Sequence, residues 1–194
     1  MTLPRVVLAS SSPRRRDLLN LIGIGHDVRP ADLDETYMVG EEPKAHAERL
    51  ARAKAEAIAA AEPESLVIGA DTVVVIDGAV LGKPRDAAEA LRMLSMLEGR
   101  THSVLTGIAA VWQGTLVSRI VSVDVTFKPL TGEELSSYIA TGEPMDKAGA
   151  YGIQGYGATI VSRIEGDYFA VMGLSLVALV ALINELGLSY DFPR

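Results

Sequence analysis

The stretch LASSSPRRRDLL, residues 8–19, sets three serines, a proline and three arginines side by side. Ser12 has the chemistry of a helix N-cap, and Pro13 then falls at the first helical position, where its missing N–H costs nothing. Arg14 and Arg15 follow in the first turn. An exposed cation at that positive end of the helix dipole is unfavourable by ~0.3–1 kcal/mol. The preceding PRVVLA reads as a strand. A strand, a turn of small hydroxyl residues and a helix N-terminus together form an anion cradle. A phosphate bound there reverses the sign of the arginine penalty, so the turn is expected to hold one. A second candidate is Asp71, the one carboxylate in the apolar run LVIGADTVVVI, with the hydroxyl of Thr72 beside it. A buried ionised acid needs a metal, a lysine or a proton. A third is Lys54, four residues from Leu50 and four from Ile58 on the inward row of a helix. Either its stem is buried while its head reaches water, or its ammonium stands at the edge of a cleft.

The elements that must position these groups follow from local patterns. EPKAHAERLARAKAEAIAAAE is expected to be helical, with Ala47, Leu50, Lys54, Ile58 and Ala61 inward and Arg49, Arg52 and Glu56 pointing elsewhere. Leu66 to Ile76 reads as a central strand, and Asp77-Gly78 as a hairpin turn. Asp86 and Glu89 open another helix with Leu91, Leu94 and Leu97 as its stripe. Two long strands meet at Gln113-Gly114. Thr131 and Glu134 form a capping box for TGEELSSYIATG. DKAGAYGIQGYG is a glycine-rich loop leading into the strand ATIVSRI, and VMGLSLVALVALI reads as a buried helix too short to span a bilayer. Mixed strands and helices throughout indicate one α/β domain over residues 1–194.

Several chemistries are excluded. The chain has no cysteine, so disulfides, thiolate metal sites and a cysteine nucleophile are absent. His26, His46 and His102 lack zinc-binding spacing. LGKP, with Lys83, is not a phosphate-binding P-loop, because proline stands where serine or threonine belongs. The glycine-rich loop follows a helix and opens a strand, the reverse of a dinucleotide fingerprint. A net charge of −7 argues against nucleic acid as the main partner. No export signal or membrane span is evident, so the expected location is the cytoplasm.

Taken in order, these stretches resemble the Maf family of nucleoside triphosphate pyrophosphatases. The match rests on LASSSPRRRDLL, DET at 34–36, RLARAKA at 49–55, GADTVV at 69–74, LGKP at 81–84, GRTHSVLTG at 99–107, DKAGAYGIQG at 146–155 and GDYFAVMGLSL at 166–176. The resemblance implies an elongated α/β fold, with a mixed twisted sheet flanked by helices and two lobes around a cleft, shared with the inosine triphosphate pyrophosphatases. It implies hydrolysis between the α and β phosphates of a nucleoside triphosphate, with Asp71 as general base, and it allows a homodimer. Arg14, Thr72 and Gln154 stand where the dTTP/UTP branch carries its specificity residues. The 7-methyl-GTP branch differs there, for instance with tryptophan after Ser-Pro. Ala170 and Ser175 depart from the asparagine and proline often found at those places in the family.

The chemistry is coherent with these residues. Arg15, Lys54 and Lys83 can counter a triphosphate, with Ser10 and Ser12 as neutral donors. Asp71 and Glu35 are hard oxygen ligands suited to Mg²⁺ or Mn²⁺, although Asp32 and Asp34 of the same acidic loop, ADLDET, could substitute for Glu35, and the roles of base and metal ligand compete at Asp71. Gln154 offers a donor and an acceptor together for the edge of a base. The rival expectations are cleavage of 7-methyl-GTP or another non-standard nucleotide, and a nucleotide-binding cell-division regulator without catalysis.

Overall fold

The computed structural model describes residues 3–192. The chain begins with β1 (Val6–Leu8), α1 (Pro13–Leu21), β2 (His26–Val28), α2 (Pro43–Ala59) and β3 (Leu66–Ile76). β1 runs parallel to β2, with Val6 opposite His26, and parallel to β3, with Val6 opposite Leu66. β2 carries no sequence signal of its own. It is three partly exposed residues completing the edge of the sheet. β3 turns into β4 (Ala79–Leu81) through Asp77 and Gly78, both at positive φ, 50° and 75°, as a two-residue hairpin turn requires.

α3 (Ala87–Leu97) is capped by Asp86, which accepts the Glu89 N–H at 2.8 Å. The box is not closed on Asp86 itself: the Glu89 carboxylate takes the N–H of Arg85 at 2.9 Å. The buried stripe is Ala90, Met93, Leu94 and Leu97, and the expected Leu91 is exposed. A turn at Ala90 and Met93 satisfies the inward face, which leaves Leu91 rotated to the outside. β5 (Thr101–Trp112) and β6 (Thr115–Phe127) meet at Gln113-Gly114, again with positive φ at both residues. The capping box of α4 (Gly132–Ala140) is complete between Thr131 and Glu134.

The glycine-rich loop is more structured than its composition suggests. It forms 3₁₀ turns at Glu143–Asp146, Ala148–Ala150 and Gly155–Thr159 before β7 (Val161–Glu165), which runs antiparallel to β6. The expected single C-terminal helix is instead two, α5 (Tyr168–Met172) and α6 (Leu176–Glu185). Gly173, at φ 117°, breaks the run, and Ser175 caps α6 by accepting the Ala178 N–H at 3.1 Å.

The seven strands form one mixed sheet in the order β2-β1-β3-β5-β6-β7, with β4 paired to β3. Flanking helices complete the α/β architecture. The chain groups into two compact units. The first comprises the chain through Asp71, Thr106–Val121 and the chain from Gly173; the second comprises Thr72–Leu105 and Ser122–Met172.

In the first unit, Val7, Ala9, Val67, Ala109 and Val111 pack with Ala51 and Ala55 of α2. The helix lies in backbone contact with the strands. A Cβ on Gly69 would stand 2.2 Å from the Ala51 carbonyl oxygen, and one on Gly107 2.2 Å from that of Ala47. The period of a strand puts Val67, Gly69 and Asp71 on this same helix-covered face. Leu66, Ile68 and Ala70, on the opposite face, are also fully buried. In the second unit, Phe127 packs edge-on against His102 and Tyr151, and His102 Nε2 hydrogen-bonds the Tyr151 hydroxyl at 2.8 Å.

Two outcomes follow for stability. Gly107→Ala forces α2 away from β5 and should lower stability by about 2–4 kcal/mol in urea titration. Burial pulls the His102 imidazole down from its ordinary 6.5 to about 4, with Asp124 acting weakly against this. As the pH falls through that window the unfolded chain takes up a proton that the folded chain does not, so stability drops by about 3 kcal/mol. His102→Gln retains a partner for Tyr151 and should flatten that decline when urea midpoints are compared from pH 7 downward.

Candidate active site

The turn after β1 is built around Ser10. Ala9 extends the sheet by donating to the Ile68 carbonyl at 2.8 Å, and Ser10 is buried at its end. Ser12 occupies the N-cap of α1 and Pro13 its first position, but the Ser12 side chain makes no capping bond. Its backbone N–H instead donates to Ser10 Oγ at 3.3 Å. Ser10 Oγ also accepts from Arg15 Nη1 at 2.9 Å, and Arg15 Nε donates to the Gly173 carbonyl at 2.8 Å. The arginine has therefore turned inward, away from water, and a carbonyl dipole receives its charge. Burial lowers the pKa of the Arg15 guanidinium, an effect opposed by the negative charge of Asp71 and, more weakly, of Glu35. Arg14 is half-buried beside it, while Arg16 is exposed.

Lys54 joins the other acidic groups. The contact of α2 with Gly69 sets the helix at a height from which Nζ reaches Asp71 Oδ1 at 2.7 Å. The same ammonium lies 2.7 Å from Glu35 Oε1. Lys54 and Asp71 are buried; Glu35 reaches them from an exposed loop. The open choice for Asp71 among metal, lysine and proton is thus answered by a lysine, and the Lys54 head is not carried out to water.

That loop is held by residues whose types and spacing mark no site on their own. Glu41 receives Arg49 through Nε at 2.6 Å and Nη2 at 2.9 Å, and contacts His46 Nδ1 at 2.8 Å. Arg49 Nη2 also donates to the Thr36 carbonyl at 3.3 Å, and the Tyr37 ring stacks on His46 at 3.8 Å. The Arg49 hydrogen bonds hold the Glu41 carboxyl down to about 2. Arg49 lies off the apolar row of α2, and that displacement aims it at the segment carrying Glu35.

Thr72, Lys83 and Gln154 belong to the second unit. Thr72 follows Asp71 in β3 and so points to the opposite face of the strand. Lys83 is exposed just after β4. The neighbouring Gly82 carbonyl accepts the Gly149 N–H at 3.0 Å, which ties the Lys83 segment to the glycine-rich loop. Gln154 is exposed at the start of the last 3₁₀ turn.

The family model for Maf-like proteins matches residues 5–186. The chain belongs to the Maf-like protein family. A relative from Moorella thermoacetica named dTTP/UTP pyrophosphatase is 50% identical, over 95% of this chain and 96% of its own. Proteins of the same name from Koribacter versatilis and Bacillus pumilus are 47% and 44% identical, each over at least 94% of both chains.

Among the described residues of this Maf-like chain, no group of three or more His, Asp or Glu side chains is placed to hold a metal. Mg²⁺ does not require such a cage: it is commonly held by one or two carboxylates together with substrate phosphates. Glu35 and Asp71 pair with the Lys54 ammonium through Oε1 and Oδ1, and as neighbouring hard oxygen donors they are the carboxylates here that would suit such an ion.

The ion pair can be checked directly. Lys54→Met leaves Asp71 buried without its counter-charge and should lower stability at neutral pH by about 3–5 kcal/mol. Adding Asp71→Asn should restore much of that loss in urea titrations. Equal loss in the single and double variants would show that the pairing contributes nothing beyond packing.

Proposed function

We propose that this chain hydrolyses dTTP and UTP, and modified uridine triphosphates, to the nucleoside monophosphate and pyrophosphate. The observation that carries the proposal is the Glu35–Lys54–Asp71 cluster, set in the same compact unit as the Ser10–Arg15 turn. Full-length relatives at 44–50% identity named dTTP/UTP pyrophosphatase support it. Phosphoanhydride hydrolysis needs negative charge neutralised on phosphate oxygens and a water aimed at phosphorus, and the cluster contains groups suited to each task.

In this mechanism Ser10, Ser12 and the N–H groups opening α1 receive phosphate oxygens, and Arg15, Lys54 and Lys83 oppose their charge. Asp71 is the general base. It takes a proton from water as the water oxygen bonds to phosphorus, and the bridging oxygen leaves with the pyrophosphate. Lys54 orients the Asp71 carboxylate through its 2.7 Å hydrogen bond. A divalent cation, Mg²⁺ or Mn²⁺, held by Glu35 and Asp71, would polarise the phosphates and the attacking water. Arg14, Thr72 and Gln154 are assigned to the nucleotide end, where uracil and thymine present a carbonyl–NH–carbonyl edge. The free nucleotide is the partner, in the cytoplasm.

The test is pyrophosphate release from dTTP, UTP, CTP and 7-methyl-GTP with Mg²⁺ or Mn²⁺. Wild type should cleave dTTP and UTP. Asp71→Asn should lose about 10²–10⁴-fold in rate, and chelation of the metal should abolish release reversibly. Preferential cleavage of 7-methyl-GTP would overturn the substrate assignment. Nucleotide binding without cleavage would overturn the reaction.

A further inference from the structure

Gln154 sits in a loop whose two flanks are fastened to one carboxylate, that of Glu143. Glu143 opens the 3₁₀ turn directly after α4 and Gly142. Its Oε1 accepts from the Tyr138 hydroxyl at 2.9 Å and from the Gly157 N–H at 2.9 Å. Its Oε2 accepts from the Tyr156 N–H at 2.8 Å. The Tyr138 hydroxyl in turn accepts the Gly152 N–H at 3.0 Å. The carboxylate therefore holds the chain two and three residues after Gln154 directly, and two residues before it through one hydroxyl. Lys147 Nζ donates to the Glu143 carbonyl at 2.6 Å and fixes the backbone that carries the side chain.

The glycines fit this arrangement. A Cβ on Gly155 would stand 2.4 Å from Glu143 Oε2, and one on Gly152 3.1 Å from Oε1. On Gly157 it would stand 2.0 Å from the Gly152 carbonyl oxygen and 2.8 Å from the Tyr138 hydroxyl. Gly155 also has a φ of 65°. Within the loop Gly152 and Gly157 are buried while Gln154 is exposed. The segment is thus a short arch: both feet are bound to one acid, and the amide stands at the top.

We propose that Glu143 is a positioning residue for nucleotide selectivity, acting through Gln154. This rests on the proposed function and on the assignment of Gln154 to the base. A carboxylate suits this position because the Tyr138 hydroxyl and the Tyr156 and Gly157 N–H groups all donate to it. A glutamine at this position would present its amide N–H groups to an N–H or O–H and leave at least one bond of the arch unmade.

The experiment compares kcat/KM for UTP and CTP, which differ in donor and acceptor at one edge of the base, in wild type, Glu143→Gln, Gln154→Ala and the double variant. Gln154→Ala and Glu143→Gln should each lower the UTP/CTP ratio roughly tenfold, with kcat on saturating UTP changed much less. The double variant should lose no more selectivity than Gln154→Ala alone, since both act on one contact. Equal losses on both nucleotides in Glu143→Gln, or multiplying losses in the double variant, would overturn the proposal. Tyr138→Phe removes only the link to Gly152. If Glu143→Gln does not fold, Tyr138→Phe should still reduce the ratio, and an unchanged ratio there would overturn the proposal as well. Failure of wild type to release pyrophosphate from dTTP or UTP is a different outcome, and would remove the proposed function itself.

Discussion

The backbone contact between α2 and the strands is the constraint on which the acidic cluster depends. Only glycine at 69 and 107 lets the helix approach this far, because any Cβ would overlap the Ala51 or Ala47 carbonyl. At that height the buried Lys54 brings its ammonium to both Asp71 and Glu35. A helix displaced outward would withdraw the cation and leave a buried carboxylate uncompensated, a costly state. The lysine and aspartate are 17 positions apart, so the pairing is a product of helix-on-sheet packing and not of local sequence.

The first turn of α1 resolves a comparable conflict differently. Arg15 lies near the positive end of a helix dipole, yet it is buried. The Gly173 carbonyl and Ser10 Oγ receive its N–H groups. The break between α5 and α6 makes this possible, since a carbonyl inside a continuous helix would be bonded to its own helix. One interruption near the C-terminus therefore serves a residue near the N-terminus.

What could be read from sequence alone is what local chemistry determines. The limits of β3, both two-residue hairpin turns, the Thr131–Glu134 box and Pro13 at the start of α1 each follow from residues within a few positions. The rest depends on long-range contact. β2 is a strand because β1 offers it an edge. The C-terminal apolar run hid its break, since Gly173 and Ser175 sit among residues that favour a helix. Leu91 followed the right period but lay on the wrong side of α3. Among candidate residues, Ser10, Arg15, Lys54, Asp71 and Glu35 are drawn into two connected clusters. The groups supporting them were not legible: the helical period sets Arg49 only off the inward row of its helix, and no local pattern singles out Glu41 or Glu143.

The glycine-rich loop has a consequence for how far such a protein can be retuned. Its glycines read as freedom in the sequence, yet the space beside Gly152, Gly155 and Gly157 is taken up by Glu143, Tyr138 and the chain itself. A Cβ at Gly155 or Gly157 would displace the Glu143 carboxylate or the backbone of the arch, and one at Gly152 would press on Lys147 and Glu143. Variation compatible with this architecture is channelled into position 154, whose side chain alone among these four faces outward with room to change. A loop that looks permissive thus behaves as a socket with one interchangeable pin.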